Sequence, residues 1–173
     1  MFTIVAELAA SATTNEFGVY DLQDSSKKAR LFYGAASAGN KSLFSLGADG
    51  SVFVNFVDTG IDFAANRFGF YLNALSDSKT YYSDTSLNTD GVDHMVAFKG
   101  TGSTVIQLPG LMPGTWTSNE YILGFEDWYT GVDRDYEDFV VMVGAVKNLP
   151  EPSEVAILFC GLAGLIAVRQ RVV

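Results

Sequence analysis

Apolar and polar residues alternate in short runs through the first 146 positions, and Gly, Asn and Asp separate the runs. A period of two predicts strands that turn one face to a core. Residues 2–8 open the series, with Phe2, Ile4 and Ala6 alternating against Thr3, Val5 and Glu7. Further strands are predicted at 17–22, 29–33, 42–46, 51–57, 67–73, 79–82 and 93–99. The run Gly47-Ala48-Asp49-Gly50 predicts a hairpin turn between two of them. The clearest strands are 120–126 and 138–146. In the second, Val140 to Val143 are apolar without alternation, which predicts burial on both faces. No window before residue 150 carries a helical stripe with caps. The pattern predicts an all-β domain over residues 1–147, an antiparallel β-sandwich of jelly-roll-like type.

The pattern breaks at Asn148-Leu149-Pro150-Glu151-Pro152-Ser153. Proline fixes φ and removes a donor, so strand pairing should stop there. Ser153 suits a helix N-cap, and residues 155–168 are then continuously apolar up to Arg169-Gln170-Arg171. The prediction is a short C-terminal apolar helix in a separate segment, 148–173. Fourteen helical residues span about 21 Å against a hydrocarbon core of about 30 Å, so length alone leaves open a terminal helix docked on the sandwich. Its all-round apolarity and terminal arginines favour a membrane segment with the β-domain outside.

Composition narrows the partners. Hydrophobic residues make up 48% of the chain, which is enough for a packed core. The net charge is −9, so a nucleic-acid backbone would be repelled and no nucleic-acid partner is expected. An acidic surface suits solubility, divalent cations or a cation-bridged polysaccharide. Cys160 is the one cysteine, so no intramolecular disulfide can form. The chain opens directly on a strand pattern. An exported protein with such a start is expected to have lost or misassigned N-terminal sequence; the alternative is a copy that is not exported.

The tail resembles a bacterial PEP-CTERM sorting signal. Pro150, Glu151 and Pro152 supply the motif, the apolar run follows, and Arg169 and Arg171 close it, while Glu154 and Gln170 depart from the pattern. The resemblance implies export, transient anchoring in the inner membrane, processing by an exosortase, and final residence at the cell surface or in an exopolysaccharide-containing biofilm matrix. The domain is similar to the family called domain of unknown function 4114. The runs 121–127 and 133–141 carry the likeness most strongly, with 15–21, 68–71, 81–84 and 90–94. That family implies a secreted or surface module and brings no established activity.

Candidate chemistry sits in acidic loops. Glu126, Asp127, Asp133, Asp135, Glu137 and Asp138 crowd one segment, offset only by Arg134. Such crowding demands a cation or raises carboxylate pKa values. Ca²⁺, which takes six to eight hard oxygens, fits Glu126, Asp127, Asp133, Asp135 and Asp138 as ligands. The alternative is a network centred on Arg134. A second oxygen-rich set is Asp84, Asn88, Asp90 and Asp93. The triplets at 60–62, 91–93 and 131–133 each read Gly, β-branched residue, Asp, as turns entering strands or as loops gathered at one end of the sandwich. His94 is the only histidine, which excludes a multi-His zinc site and is expected to pack rather than catalyse. Trp116, Trp128, Tyr129 and Tyr136 lie in or near loops, suited to sugar stacking or to packing. No Gly-x-Ser-x-Gly elbow or phosphate loop occurs. The expectation is a non-enzymatic, calcium-stabilised surface or matrix binding protein; the alternative is a carbohydrate-active enzyme using loop carboxylates.

Overall fold

A computed structural model describes residues 2–7 along the backbone and residues 14–34, 36–75, 78–127 and 135–144 in full. The tail, with Pro150, Glu151, Pro152, Arg169 and Arg171, lies outside the described residues, as do Trp128, Tyr129, Asp133 and Arg134.

Among the described residues the chain is all-β and its strand pairs are antiparallel. The strands are β1 (Phe2–Glu7), β2 (Glu16–Asp21), β3 (Asp24–Tyr33), β4 (Lys41–Ser42), β5 (Phe44–Leu46), β6 (Ser51–Val54), β7 (Val57–Asp62), β8 (Phe68–Ala74), β9 (Lys79–Tyr82), β10 (Met95–Lys99), β11 (Val105–Ile106), β12 (Gly114–Thr115), β13 (Tyr121–Phe125) and β14 (Phe139–Val143). One sheet has the order β10-β13-β14-β1-β4, and a second has β3-β2-β8-β9. A three-stranded sheet, β5-β6-β7, and the small β11-β12 hairpin complete the architecture.

The period-two pattern explains the core. Phe17 and Val19 on β2, Leu123 and Phe125 on β13, and Phe139, Val141 and Val143 on β14 belong to one buried cluster. Phe17 crosses between the sheets: its ring lies 4.9 Å from Phe139 and 5.7 Å from Phe125. As anticipated for a strand covered on both sides, Met142 is buried along with Val141 and Val143, although it points away from them.

On the other face of β2, glycine and tyrosine alternate across the ladder. Gly18 pairs with Tyr71 and Tyr20 pairs with Gly69. A Cβ on Gly18 would sit 2.3 Å from the Ala29 carbonyl oxygen and 2.7 Å from the Tyr71 ring. The missing side chain is what lets Tyr71 lie across the strand.

Three expectations are corrected. Residues 42–46 are not one strand, because Ser42 ends β4 in the five-stranded sheet and Phe44 begins β5 in the three-stranded one. Residues 51–57 are not one strand, because the chain reverses at Asn55-Phe56, with Val54 paired to Val57. Both turn residues have positive φ, 51° and 67°. Asn tolerates that region, and the Asn55 side chain accepts from the Leu43 N–H at 2.8 Å, which closes the turn from outside. The β3 strand also begins five residues before the predicted 29–33, at Asp24. Its polar first half, Asp24-Ser25-Ser26-Lys27-Lys28, has no apolar alternation and is held by hairpin pairing to β2.

Candidate functional site

Antiparallel pairing brings most of the predicted acidic residues to one end of the two large sheets, whereas Asp84, following Ser83 beside Phe70, lies toward the other. The β13 strand ends at Phe125, paired with Phe139 at the start of β14, so Glu126, Asp127 and Asp138 meet at the base of the loop between them. The Asp127 N–H donates to Asp138 Oδ2 at 2.9 Å. The Tyr136 N–H reaches Glu126 Oε2 at 3.4 Å. Asp135 is exposed and accepts from the Glu137 N–H at 3.3 Å, a local turn contact. Gly124 makes the loop possible: a Cβ there would lie 2.5 Å from the Tyr136 carbonyl oxygen, so the returning backbone packs directly onto β13.

Asn15 joins this cluster from the start of β2. Its Nδ2 donates to Asp127 Oδ2 at 3.0 Å. The residue is 3% exposed, and its Oδ1 is buried with no hydrogen-bond partner among the described residues. A buried amide oxygen without a partner is costly and points to a missing donor or cation. Glu126 and Asp127 are buried as well.

The second predicted set is spread along the loop between β9 and β10, and each member serves the backbone. Asp84 caps the 3-10 turn Thr85–Leu87 by accepting from the Ser86 N–H at 2.9 Å. The Ser86 hydroxyl and N–H hold the Asp84 carboxyl below the usual carboxylate range. Asn88 is buried and works as a splice. It accepts from the Tyr82 N–H at 2.7 Å and donates to the Tyr82 and Val92 carbonyls at 3.1 and 2.9 Å. Asp90 accepts from the Val92 N–H at 3.0 Å, and Asp93 accepts from the Met95 N–H at 3.2 Å.

His94 connects the two sets. It is fully buried against the Tyr81 ring, 4.2 Å between centroids. Its Nε2 lies 2.8 Å from Asp90 Oδ2 and its Nδ1 3.2 Å from the Glu126 carbonyl oxygen, so both ring nitrogens face oxygen acceptors. The Glu126 N–H returns a bond to the His94 carbonyl at 3.0 Å. Burial pushes the Asp90 carboxyl up, but the Val92 N–H and the His94 ring outweigh it and hold the group below its ordinary value. Tyr136 adds a third link, its hydroxyl donating to the Asp93 carbonyl at 3.2 Å. Packing thus engages His94 as expected. Asn15 and Tyr136 emerge as positioning residues that the spacing of carboxylates could not reveal.

Residues 61–145 match the family described as Domain of unknown function (DUF4114). The DUF4114 match takes in β8 to β14 and both acidic sets, together with His94 and Tyr136. It leaves out β1 to β6 and most of β7. The stretch 15–21, expected from the sequence to share the likeness, falls outside the matched residues, although Asn15 bonds to Asp127 within them. No curated protein and no solved structure matches the chain.

Chemically, the end offers carboxylate and amide oxygens, several already anchored by backbone N–H groups. Among the described residues no three His, Cys, Asp or Glu side chains converge to hold a metal ion. No helix among them is long and apolar enough to cross a membrane.

Proposed function

We propose that this chain is an exported, non-enzymatic binding or structural protein of the cell surface or biofilm matrix, stabilised by calcium at its acidic end. The observation that carries the calcium reading is Asn15 Oδ1, a buried acceptor without a partner among the described residues, beside the Asp127 carboxylate. Calcium takes amide carbonyl oxygens and carboxylates together, so this donor set fits it. Asn15 Oδ1 and the Asp127 carboxylate would begin the ion's shell, and Glu126, Asp133, Asp135 and Asp138 are the candidate oxygens that would have to draw in to complete it. When bound, calcium would neutralise the buried carboxylates and tie the loop to β2. The two facing sheets are read as one sandwich of jelly-roll-like type, supported by the Phe17 ring contacts to Phe125 and Phe139.

The export half of the reading rests on the tail. Pro150-Glu151-Pro152, the apolar residues 155–168 and the closing Arg169 and Arg171 resemble a signal sorted by an exosortase at the inner membrane. Exopolysaccharide is the partner that suits an acidic, cation-bridged surface.

A thermal melt of the full chain in mild detergent, first with chelator, then with calcium, then with magnesium, tests the calcium reading. At a concentration 100 times Kd, one site adds about 2.7 kcal/mol. For a domain of this size that is a rise of roughly 5–10 °C. A rise with calcium alone supports the reading, and Asn15→Ala should remove most of it. No rise would assign the acidic loop to its own hydrogen bonds and to Arg134. Fractionation of the producing cells tests the export half, since recovery in the cytoplasm would overturn it.

A further inference from the structure

The β6-β7 hairpin ends in a residue that makes little sense inside the molecule. Phe56 occupies the second position of a two-residue turn with φ of 67°, where glycine is the favoured residue. Its side chain is 85% exposed, and the adjacent Val57 is 67% exposed. An aromatic here carries both a backbone strain of about 1 kcal/mol and an apolar ring in water. Among the described residues no aromatic or cation partner of that ring offsets either.

The tip lies at the end of the molecule opposite the acidic loops. Val143, the last residue of β14, pairs with Phe2, and Phe2 pairs with Ser42. Leu43 follows, and its carbonyl accepts from the Asn55 N–H at 2.8 Å. Two strand spacings, two chain steps and one cross-turn pair therefore place Phe56 within about 25 Å of the point where the chain leaves β14. From there ten residues, 145–154, lead to the apolar run 155–168, and they reach at most about 35 Å. Leu22, 44% exposed in the β2-β3 turn, shares this end, because Asp21 pairs with Phe68 and the Phe68 ring meets Phe44 at 4.9 Å.

We infer that Phe56 and Val57 form a lipid-contacting wedge that seats the domain on the bilayer its tail enters, with the acidic loops facing away. This rests on the reading of residues 155–168 as a membrane segment. The test uses the full chain with Cys160→Ala, labelled with a polarity-sensitive dye at Phe56→Cys or, as reference, at Glu137→Cys. Vesicles of phosphatidylethanolamine and phosphatidylglycerol are the probe. Flotation with the vesicles reports on the tail, and the dye reports on the tip. The expected result is flotation, a blue shift at position 56 and a several-fold drop in its quenching by iodide, with position 137 unchanged. Flotation with position 56 as open to iodide as position 137 would overturn the inference and leave the tail reading intact. Failure to float would overturn both. Concentration-dependent protection of position 56 without vesicles would assign the tip to a second copy of the chain and overturn the lipid contact.

Discussion

Asn88 shows how a single side chain can hold a loop together. Its amide replaces three backbone partners, at Tyr82 and Val92, and it is buried. Removing it strands those groups, so Asn88→Ala should lose about 2–4 kcal/mol, or roughly 5–10 °C in a thermal melt. Phe56 acts in the opposite sense. Replacing it with glycine relaxes the positive φ, and Phe56→Gly should raise the melting temperature by roughly 2–4 °C in vesicle-free solution. Asp90 adds a pH dependence. Its carboxyl is pushed up by burial, but the Val92 N–H and His94 together hold it below the ordinary value of 3.8. A depressed carboxylate contributes stability above the ordinary value and loses it as pH falls through the folded value. Wild type should therefore exceed Asp90→Asn in melting temperature at neutral pH, and the gap should close in acid. A constant gap would mean that the ionised carboxylate is not what holds the loop.

At the scale of elements, the ladder between β2 and β8 depends on glycine facing tyrosine. A methyl at Gly18 would meet the Ala29 carbonyl and the Tyr71 ring. Backbone cannot yield as a flexible side chain can, so Gly18→Ala should cost about 1–3 kcal/mol, read from denaturant midpoints at unchanged slope. The Tyr71 hydroxyl donates to Glu16 Oε1 at 2.6 Å. Burial, and then that bond, raise its pKa far above 10.0. A raised pKa contributes stability that is complete below the unfolded value and is lost as pH climbs above it. Wild type should thus lose stability steeply above about pH 10, whereas Tyr71→Phe should lose less over the same range. The short apolar runs that mark β13 and β14 as strands are legible in sequence, since each is rich in β-branched or aromatic residues and bounded by turn residues. The Asn55-Phe56 reversal and the polar half of β3 are not, because both are imposed by partners distant in sequence: Leu43 for the turn and β2 for the strand.

For the whole molecule, β1 joins the two ends of the described chain. It pairs with β14 on one side and with the short edge strand β4 on the other, as the fourth strand of the five-stranded sheet. Deleting residues 2–7 would expose the β14 edge, an apolar strand with unpaired backbone groups. The truncated protein should self-associate in size-exclusion chromatography, and a monodisperse monomer would show that β14 is protected in some other way. The molecule is also polar end to end. Acidic loops gather where β13 and β14 join, and the exposed hairpin tip lies near the point where the chain leaves β14.

By itself the sequence determines that the chain is all-β, roughly where ten of its strands lie, that its charge is acidic, and that a distinct apolar tail follows a proline break. These are properties of local pattern and composition, which need no partner to be read. Only the tertiary structure decided which carboxylates meet. Asn15 and Asp127 are hydrogen-bonded across 112 positions, and His94 touches Glu126 across 32. Asp135 and Asp138 sit three apart in sequence, yet Asp135 serves its own turn while Asp138 bonds back to Asp127 at the end of β13. The reason is geometric: sheet register brings loops together according to which strands pair, and pairing depends on the whole chain at once.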